Sequence, residues 1–163
     1  MKRYKSCTLI IFLFFSSALQ AYAHISRNMF MLSNLNTDNG LSSPRVYSIV
    51  EAEDGAMWIS TKRGVDRYNG QQVTNYTLYT EMPYSDACGR SIKLTKDAQH
   101  LIYAYDNKGK VYIYDKRKDT FVLKCNLQKI LGGSIVLNEL LVDEKGNFWL
   151  AMDRGIYCLS AAT

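Results

Sequence analysis

Six cationic or amide side chains fall in turn segments of this chain and are the residues best suited to binding a ligand. They are Arg45, Lys62, Arg63, Asn107, Lys108 and Arg154. A guanidinium group can bind a carboxylate or a sulfate through two parallel hydrogen bonds, so these residues predict recognition of an anionic group. The alternative is structural, because Arg63 and Arg154 occupy one position of an internal repeat and would then brace the same turn in each copy.

Carboxylates and histidines give little support for catalysis. Glycoside hydrolysis needs two acidic groups in one cleft, whereas Glu51, Glu53 and Asp54 approach or form a single exposed turn. The Ser-x-Asp-x-Gly-x-Thr-Trp spacing of sialidase-type propellers is missing from the sequence. His24 at a processed N-terminus, together with His100, would be the basis of a copper site, but His100 falls in a repeat turn. We therefore predict no catalytic residue, no metal site and no cofactor.

These turn residues must be positioned by short strands. Residues 46–50 form a nearly continuous β-branched and aromatic run, typical of a strand buried on both faces. Further strands are predicted over residues 57–59, 65–68 and 73–79. Asp-Gly and Asn-Gly dipeptides, which favour tight turns, lie between them. Together they predict a four-stranded antiparallel sheet.

The same pattern recurs 91 residues later, with a degenerate copy about halfway between. The recurring positions are Gly55, Trp58, Gly64, Tyr68, Tyr103, Gly109, Gly146, Trp149 and Gly155. A period of about 45 residues is expected of four-stranded propeller blades. We interpret Trp58 and Trp149 as fillers of the gap to the next blade and not as sugar-stacking platforms, because apolar residues flank each of them.

The predicted fold is all-β, with about three four-stranded antiparallel sheets arranged as blades of an incomplete β-propeller. The blades cover residues 40–85, 86–131 and 132–163, and the last one ends after its third strand. Because propellers close with roughly four to eight blades, we expect the chain to be a fragment of a larger ring.

Residues 1–23 have the pattern of a signal peptide. A basic start and an apolar core over residues 9–15 precede an Ala-Tyr-Ala cleavage site, so the mature chain would begin at His24 and be exported. Cleavage removes three positive and no negative charges, which lowers the formal net charge from +5 to +2. Nothing in the mature part favours nucleic-acid binding. Export would leave Cys88, Cys125 and Cys158 in an oxidising compartment, either with one disulfide or as buried free thiols.

The first copy resembles the two-component regulator propeller repeat. The residues that carry the resemblance are Gly40-Leu41-Ser42-Ser43, Val46, Asp54-Gly55, Trp58-Ile59, Thr61, Gly64-Val65, Arg67-Tyr68 and Asn69-Gly70. The resemblance implies a periplasmic sensor region of a hybrid two-component system that detects glycan fragments. Such regions are followed by more blades, a linking β-domain, a membrane helix, a histidine kinase and a DNA-binding output domain.

What the resemblance implies for this chain is a sensor without enzymatic activity of its own. Its ligand would be an oligosaccharide, and an acidic one if the arginine-bearing turns bind it. Its partners would be the remaining blades and the downstream domains, with membrane attachment only through a downstream helix. The alternative is a secreted propeller that acts as a scaffold or protein-binding module without a signalling role.

Overall fold

The computed structural model describes residues 31–78 and 90–160. The chain divides into two units, residues 1–34 and 35–163. In the first unit, the described residues 31–34 have no regular secondary structure. The second unit contains all the described strands. The predicted signal peptide and Cys88 lie outside the described residues.

Three antiparallel sheets make up the second unit, which confirms the predicted all-β, propeller-like fold. The first sheet consists of β1 Val46–Glu51, β2 Met57–Thr61, β3 Gly64–Tyr68 and β4 Val73–Tyr76, in that order. The second consists of β5 Ile92–Lys96, β6 Ile102–Asp106, β7 Lys110–Asp115 and β8 Thr120–Asn126. The third has three described strands, β9 Leu137–Val142, β10 Phe148–Met152 and β11 Gly155–Leu159.

Two short helical segments join these sheets to the chain around them. A single 3-10 turn, Thr37–Asn39, precedes β1 and is capped by the side chain of Asn36. The helix α1, Leu127–Leu131, links the second sheet to the third and is capped by Asn126. The sequence did not predict α1, because five residues are too few to show a helical apolar stripe.

The first strands of the three sheets lie side by side, since β1 contacts β5 and β5 contacts β9. The Leu94 amide donates to the hydroxyl of Ser48 at 2.8 Å, and the Lys93 ammonium donates to the carbonyl of Asn138 at 2.8 Å. Further along, the Lys96 ammonium at the end of β5 donates to the carbonyl of Glu51 at the end of β1, at 3.0 Å. Asn107 bonds both to Ser91, just before β5, and to Leu137, the first residue of β9. The three strands therefore run in the same direction. The β2–β3, β6–β7 and β10–β11 turns therefore lie at one end of the sheets, here called the upper end. The β1–β2, β5–β6 and β9–β10 turns lie at the opposite, lower end.

Apolar side chains fill the two spaces between the sheets. The core between the first and second sheets contains Trp58, Val65, Leu78, Ile92, Leu94, Ile102, Ala104 and Tyr112. The core between the second and third sheets contains Tyr103, Tyr105, Val111, Leu127, Leu137, Leu140, Val142, Phe148 and Leu150. Each sheet thus buries the face that meets its neighbour, as stacked blades do.

The prediction that residues 46–50 form a strand buried on both faces is wrong. Ile49 is 58% exposed and Val46 is also exposed. In the described residues β1 has a sheet on one side only, where Ser48 and Val50 lie towards the second sheet. The β-branched run is therefore half-buried, because no described sheet covers the face that carries Ile49.

Candidate ligand-binding end

The upper end of the first sheet is held by a buried polar network. The carboxylate of Asp66 accepts hydrogen bonds from the amide and the hydroxyl of Ser42, at 2.8 and 2.9 Å. The Thr61 hydroxyl accepts from the amide of Arg63 at 3.1 Å, and the carbonyl of Arg45 accepts from the amide of Lys62 at 3.1 Å. The loop before β1 and the β2–β3 turn are therefore joined, and Arg45, Lys62 and Arg63 come together there.

In the second sheet the corresponding turn is organised by a buried carboxylate. Asp106 is fully buried and accepts hydrogen bonds from the amides of Lys108 and Lys110, at 3.0 and 2.9 Å. It also forms an ion pair with the guanidinium of Arg90. Asn107 is half-buried, and its carbonyl accepts from the Leu137 amide at 2.9 Å. Its backbone therefore helps to connect the second sheet to the third, while Lys108 is exposed.

The third upper-end turn lines a recess at the surface. Arg154 and Asp153 line a cavity of about 350 Å³ between the β10–β11 turn and residues 131–136. Asn138 donates to the Asp153 carboxylate at 3.0 Å, which orients that side chain. Of the six predicted ligand residues, Arg154 is the one that lines this cavity.

Five cationic side chains at the upper end have no hydrogen bond or ion pair to another described residue. This holds for Arg45, Lys62, Arg63, Lys108 and Arg154, all of which are exposed. The turns are held instead by Thr61, Asp106 and backbone hydrogen bonds. The bracing role considered for Arg63 and Arg154 finds no side-chain contact among the described residues.

The sequence interpretation did not single out the residues that hold the turns. Asp97 and Asp143 organise two lower-end turns, each accepting the amide four residues later, at 2.9 and 2.8 Å. Each carboxylate also accepts from the aromatic residue six positions later, Tyr103 at 3.1 Å and Trp149 at 3.0 Å. The signal was present, because an aspartate precedes the repeat aromatic by six residues in both copies.

These contacts shift the titration of the groups involved. Hydrogen bonds from the Trp149 indole, and then from Asn147, lower the pKa of Asp143 to about 2. Burial raises the pKa of Tyr103 to about 12, with a further contribution from the charge of Asp97. Neither group changes its charge near neutral pH, so both contacts persist there and serve to hold the turns.

Metal binding and membrane crossing find no support in the described part of the chain. Among residues 31–78 and 90–160 there is no group of three His, Cys, Asp or Glu side chains that could hold a metal ion. No helix in those ranges is both long and apolar enough to cross a membrane. Cys125 and Cys158 are free thiols. Cys125 is half-buried, which raises its pKa, whereas Cys158 is exposed, so the interpretation as a buried thiol is wrong at that position.

Residues 40–63 match the family model of the two component regulator propeller. The matched segment runs from the loop before β1 to the β2–β3 turn. This segment is similar to two component regulator propeller repeats. It contains three of the predicted ligand residues, Arg45, Lys62 and Arg63. Among curated proteins, none matches the chain.

Solved structures with a similar fold come from B. thetaiotaomicron. An extracellular domain assigned to the hybrid two component system BT4673 is 19% identical, with a TM-score of 0.63 over 82% of this chain. A second structure, assigned to BT4673 as a one component system, is 18% identical with a TM-score of 0.63 over 80% of this chain. The extracellular domain assigned to BT3049 is 21% identical, with a TM-score of 0.54 over 78% of this chain. The chain spans only 16 to 17% of the length of these structures, and at such identities the likeness concerns the fold.

Proposed function

We propose that this chain is a periplasmic, ligand-sensing propeller module of a two-component signalling receptor and that it responds to oligosaccharides. The observation that carries the proposal is the two component regulator propeller repeat at residues 40–63, which lies in a sheet that recurs along the chain. The fold likeness to extracellular domains assigned to two-component systems supports the same role. Export would follow from cleavage after residue 23, and N-terminal sequencing of the mature protein should then begin at His24.

The partners that fit this role are the remaining parts of a receptor. The outer face of the third sheet exposes Leu141, Trp149 and Ile156. The equivalent faces of the first and second sheets are buried against a following sheet. We propose that the third sheet packs in the same way on a further blade, and that a membrane helix, a kinase and an output domain follow. The segment described here would then bind and transmit without catalysing a reaction.

The upper end is the proposed site for an acidic oligosaccharide. Arg45, Lys62 and Arg63 are exposed, lie in joined loops and carry no partner among the described residues. Three adjacent cations would attract a uronic acid or sulfated sugar and bind its anionic group through charge-assisted hydrogen bonds.

Calorimetry tests this assignment. We expect a trisaccharide of galacturonic acid to bind the exported protein, and the Arg45→Ala, Lys62→Ala, Arg63→Ala triple variant to lose at least a factor of ten in affinity, about 1.4 kcal/mol. A matched triple variant with Arg117→Ala, Lys118→Ala and Lys124→Ala removes three exposed cations from the β7–β8 hairpin, away from both proposed sites, and should keep the affinity. Equal affinity of both triple variants and the parent protein would rule out the upper end as the site.

A secreted protein-binding propeller is the second candidate. The exposed apolar face of the third sheet favours it, because apolar patches commonly mark contacts with proteins. The transcript that encodes the chain distinguishes the two roles. A membrane helix followed by kinase motifs supports the sensor, whereas a stop codon after further blades supports the protein-binding propeller.

A further inference from the structure

A second cleft lies at the lower end of the fold, away from all six predicted ligand residues. It measures about 610 Å³ and opens between the first and second sheets. One wall is the β1–β2 turn with Glu53 and Asp54, and the other is the β5–β6 turn with Gln99 and His100. We propose that this cleft binds an uncharged oligosaccharide. The inference rests on the proposed sensing function and adds a second, distinct site to it.

The first wall holds a donor and an acceptor in fixed positions. The Arg67 guanidinium donates to the Asp54 carboxylate at 2.6 Å and lies 5.8 Å from the centre of the Trp58 ring. The Ala56 amide, and then Arg67, lower the pKa of Asp54, so the carboxylate stays ionised at neutral pH. Because both groups are already ordered, a ligand that binds them has less conformational entropy to remove.

Other polar side chains of the cleft have unused hydrogen-bonding capacity. The side chains of Glu53, Gln99, His100 and Lys116 line the cleft and form no hydrogen bond to another described residue. Glutamate accepts hydrogen bonds, lysine donates them, and glutamine does both. A ligand that reaches both walls must therefore offer donors and acceptors together, as the hydroxyl groups of a sugar do.

Charge balance favours an uncharged ligand. Two carboxylates, Glu53 and Asp54, face two cations, Arg67 and Lys116, so the formal charges of the walls cancel at neutral pH. Leu101, which is 45% exposed, also lines the cleft and offers apolar surface to the C–H faces of a sugar ring. The volume falls within the range of about 300–1,000 Å³ that small-molecule sites occupy.

The wall that carries His100 departs from the repeat. Gly55 and Gly146 occupy the corresponding positions with φ of 76° and 79°, whereas His100 adopts φ of 62° with a full side chain. A non-glycine residue in this region is strained, and such strain is found at functional sites. The sequence thus has an imidazole facing the cleft at a position where the other two copies have glycine.

The test compares matched variants of the two ends. We expect at least one trisaccharide among maltotriose, xylotriose and mannotriose to bind the exported protein. The Gln99→Ala, His100→Ala variant should bind that sugar at least tenfold more weakly. The Glu144→Ala, Lys145→Ala variant alters the equivalent turn of the third sheet and should bind the sugar with an affinity within twofold of the parent. The same holds for the Arg45→Ala, Lys62→Ala, Arg63→Ala protein, here called the upper-end triple variant.

Tryptophan fluorescence can show whether the sugar binds in this cleft, independently of the measured affinity. The chain has two tryptophans, so Trp149→Phe leaves Trp58 as the single reporter beside the cleft. Its fluorescence should shift on titration with the bound neutral trisaccharide. If only acidic sugars bind, or if the upper-end triple variant alone loses the neutral sugar, this cleft is not the site although the sensing function stands. If neither neutral nor acidic trisaccharides bind, oligosaccharide sensing itself is contradicted and the cleft assignment falls with it.

Discussion

Trp58 and Trp149 occupy the same place in two sheets and have opposite surroundings. Each is the second residue of the second strand and pairs with an apolar residue of the first strand, Val50 for Trp58 and Leu141 for Trp149. Trp58 is 2% exposed and packs on Tyr76, Tyr114 and Phe121, with ring centroids 4.6 to 5.6 Å away. Trp149 is 44% exposed. The local sequence places the ring, and the next sheet determines whether it is buried.

Gly64 and Gly155 also occupy equivalent positions and have different surroundings, in this case around the backbone. Both begin the third strand of their sheet with positive φ, 149° and 128°. A Cβ atom on Gly64 would lie 2.2 Å from the carbonyl oxygen of Tyr76 in β4, whereas one on Gly155 would meet nothing within 4 Å. In the first sheet, the fourth strand leaves no room for a side chain at Gly64. The third sheet has a glycine at the same position, Gly155, although no described strand lies beyond β11 there.

The largest expected effect comes from truncating the two tryptophans. Trp58→Ala should lower the free energy of unfolding by about 3–5 kcal/mol, since it removes a fully buried ring from the core. Trp149→Ala should lower it by about 1 kcal/mol or less, because much of that ring already faces solvent. Urea denaturation followed by far-ultraviolet circular dichroism measures both. Equal losses would show that the third sheet is covered in the same way as the first.

Substitutions at Gly64 and Gly155 should differ by a smaller amount in the free energy of unfolding. Gly64→Ala should lower it by about 2–4 kcal/mol, because strain at positive φ adds to a clash with the β4 backbone. Gly155→Ala should lower it by about 1–2 kcal/mol, because only the strain at positive φ applies. The same denaturation experiment applies, and a cost for Gly155→Ala as large as that for Gly64→Ala would indicate a strand beside β11.

The smallest effect concerns the titration of one carboxyl. Trp149→Phe removes the indole donor, so the pKa of Asp143 should rise from about 2 towards its ordinary value of 3.8. Because the folded-state pKa is lowered, the stability from this contact is present above about pH 4 and is lost as the pH falls towards 2. Carboxyl carbon shifts in an NMR titration measure the change. Trp58→Phe is the control, since position 52 of the first copy is alanine and offers no equivalent carboxylate.

The sequence predicted the repeating sheets but not what covers them. Val65, Trp58 and the turn glycines recur because each sheet must form the same hairpins, and that local requirement is visible in the residues. The exposure of Ile49 and Trp149 could not be predicted from the sequence, because a face of a sheet is buried only where another sheet packs on it. Asp66 and Asp106 were missed for a related reason. An aspartate in or at the end of a strand resembles a solvated residue until the loop that donates to it is placed.

The upper and lower ends differ in how far the sequence could identify them. Arg45, Lys62 and Arg63 were singled out from residue type and repeat position, and they lie in joined turns. The lower cleft depends on Arg67 being held by Asp54, which lies 13 positions away across a sheet, and on a second wall from another sheet. Such a site results from stacking, so it has no signature in one copy of the repeat.

The central claim is that the third sheet repeats the first but has no described strand beyond β11. Hydrogen exchange of the backbone amides in β3 and β11 tests this claim most directly. The amides of Gly64–Tyr68 should all be protected, because β3 pairs with β2 on one side and β4 on the other. In Gly155–Leu159, the amides that point away from β10 should exchange orders of magnitude faster than those that bond to it. For the chain of residues 1–163, uniform protection along β11 would mean that residues outside the described ranges pair with its outer edge, and the account of an open third sheet would be wrong.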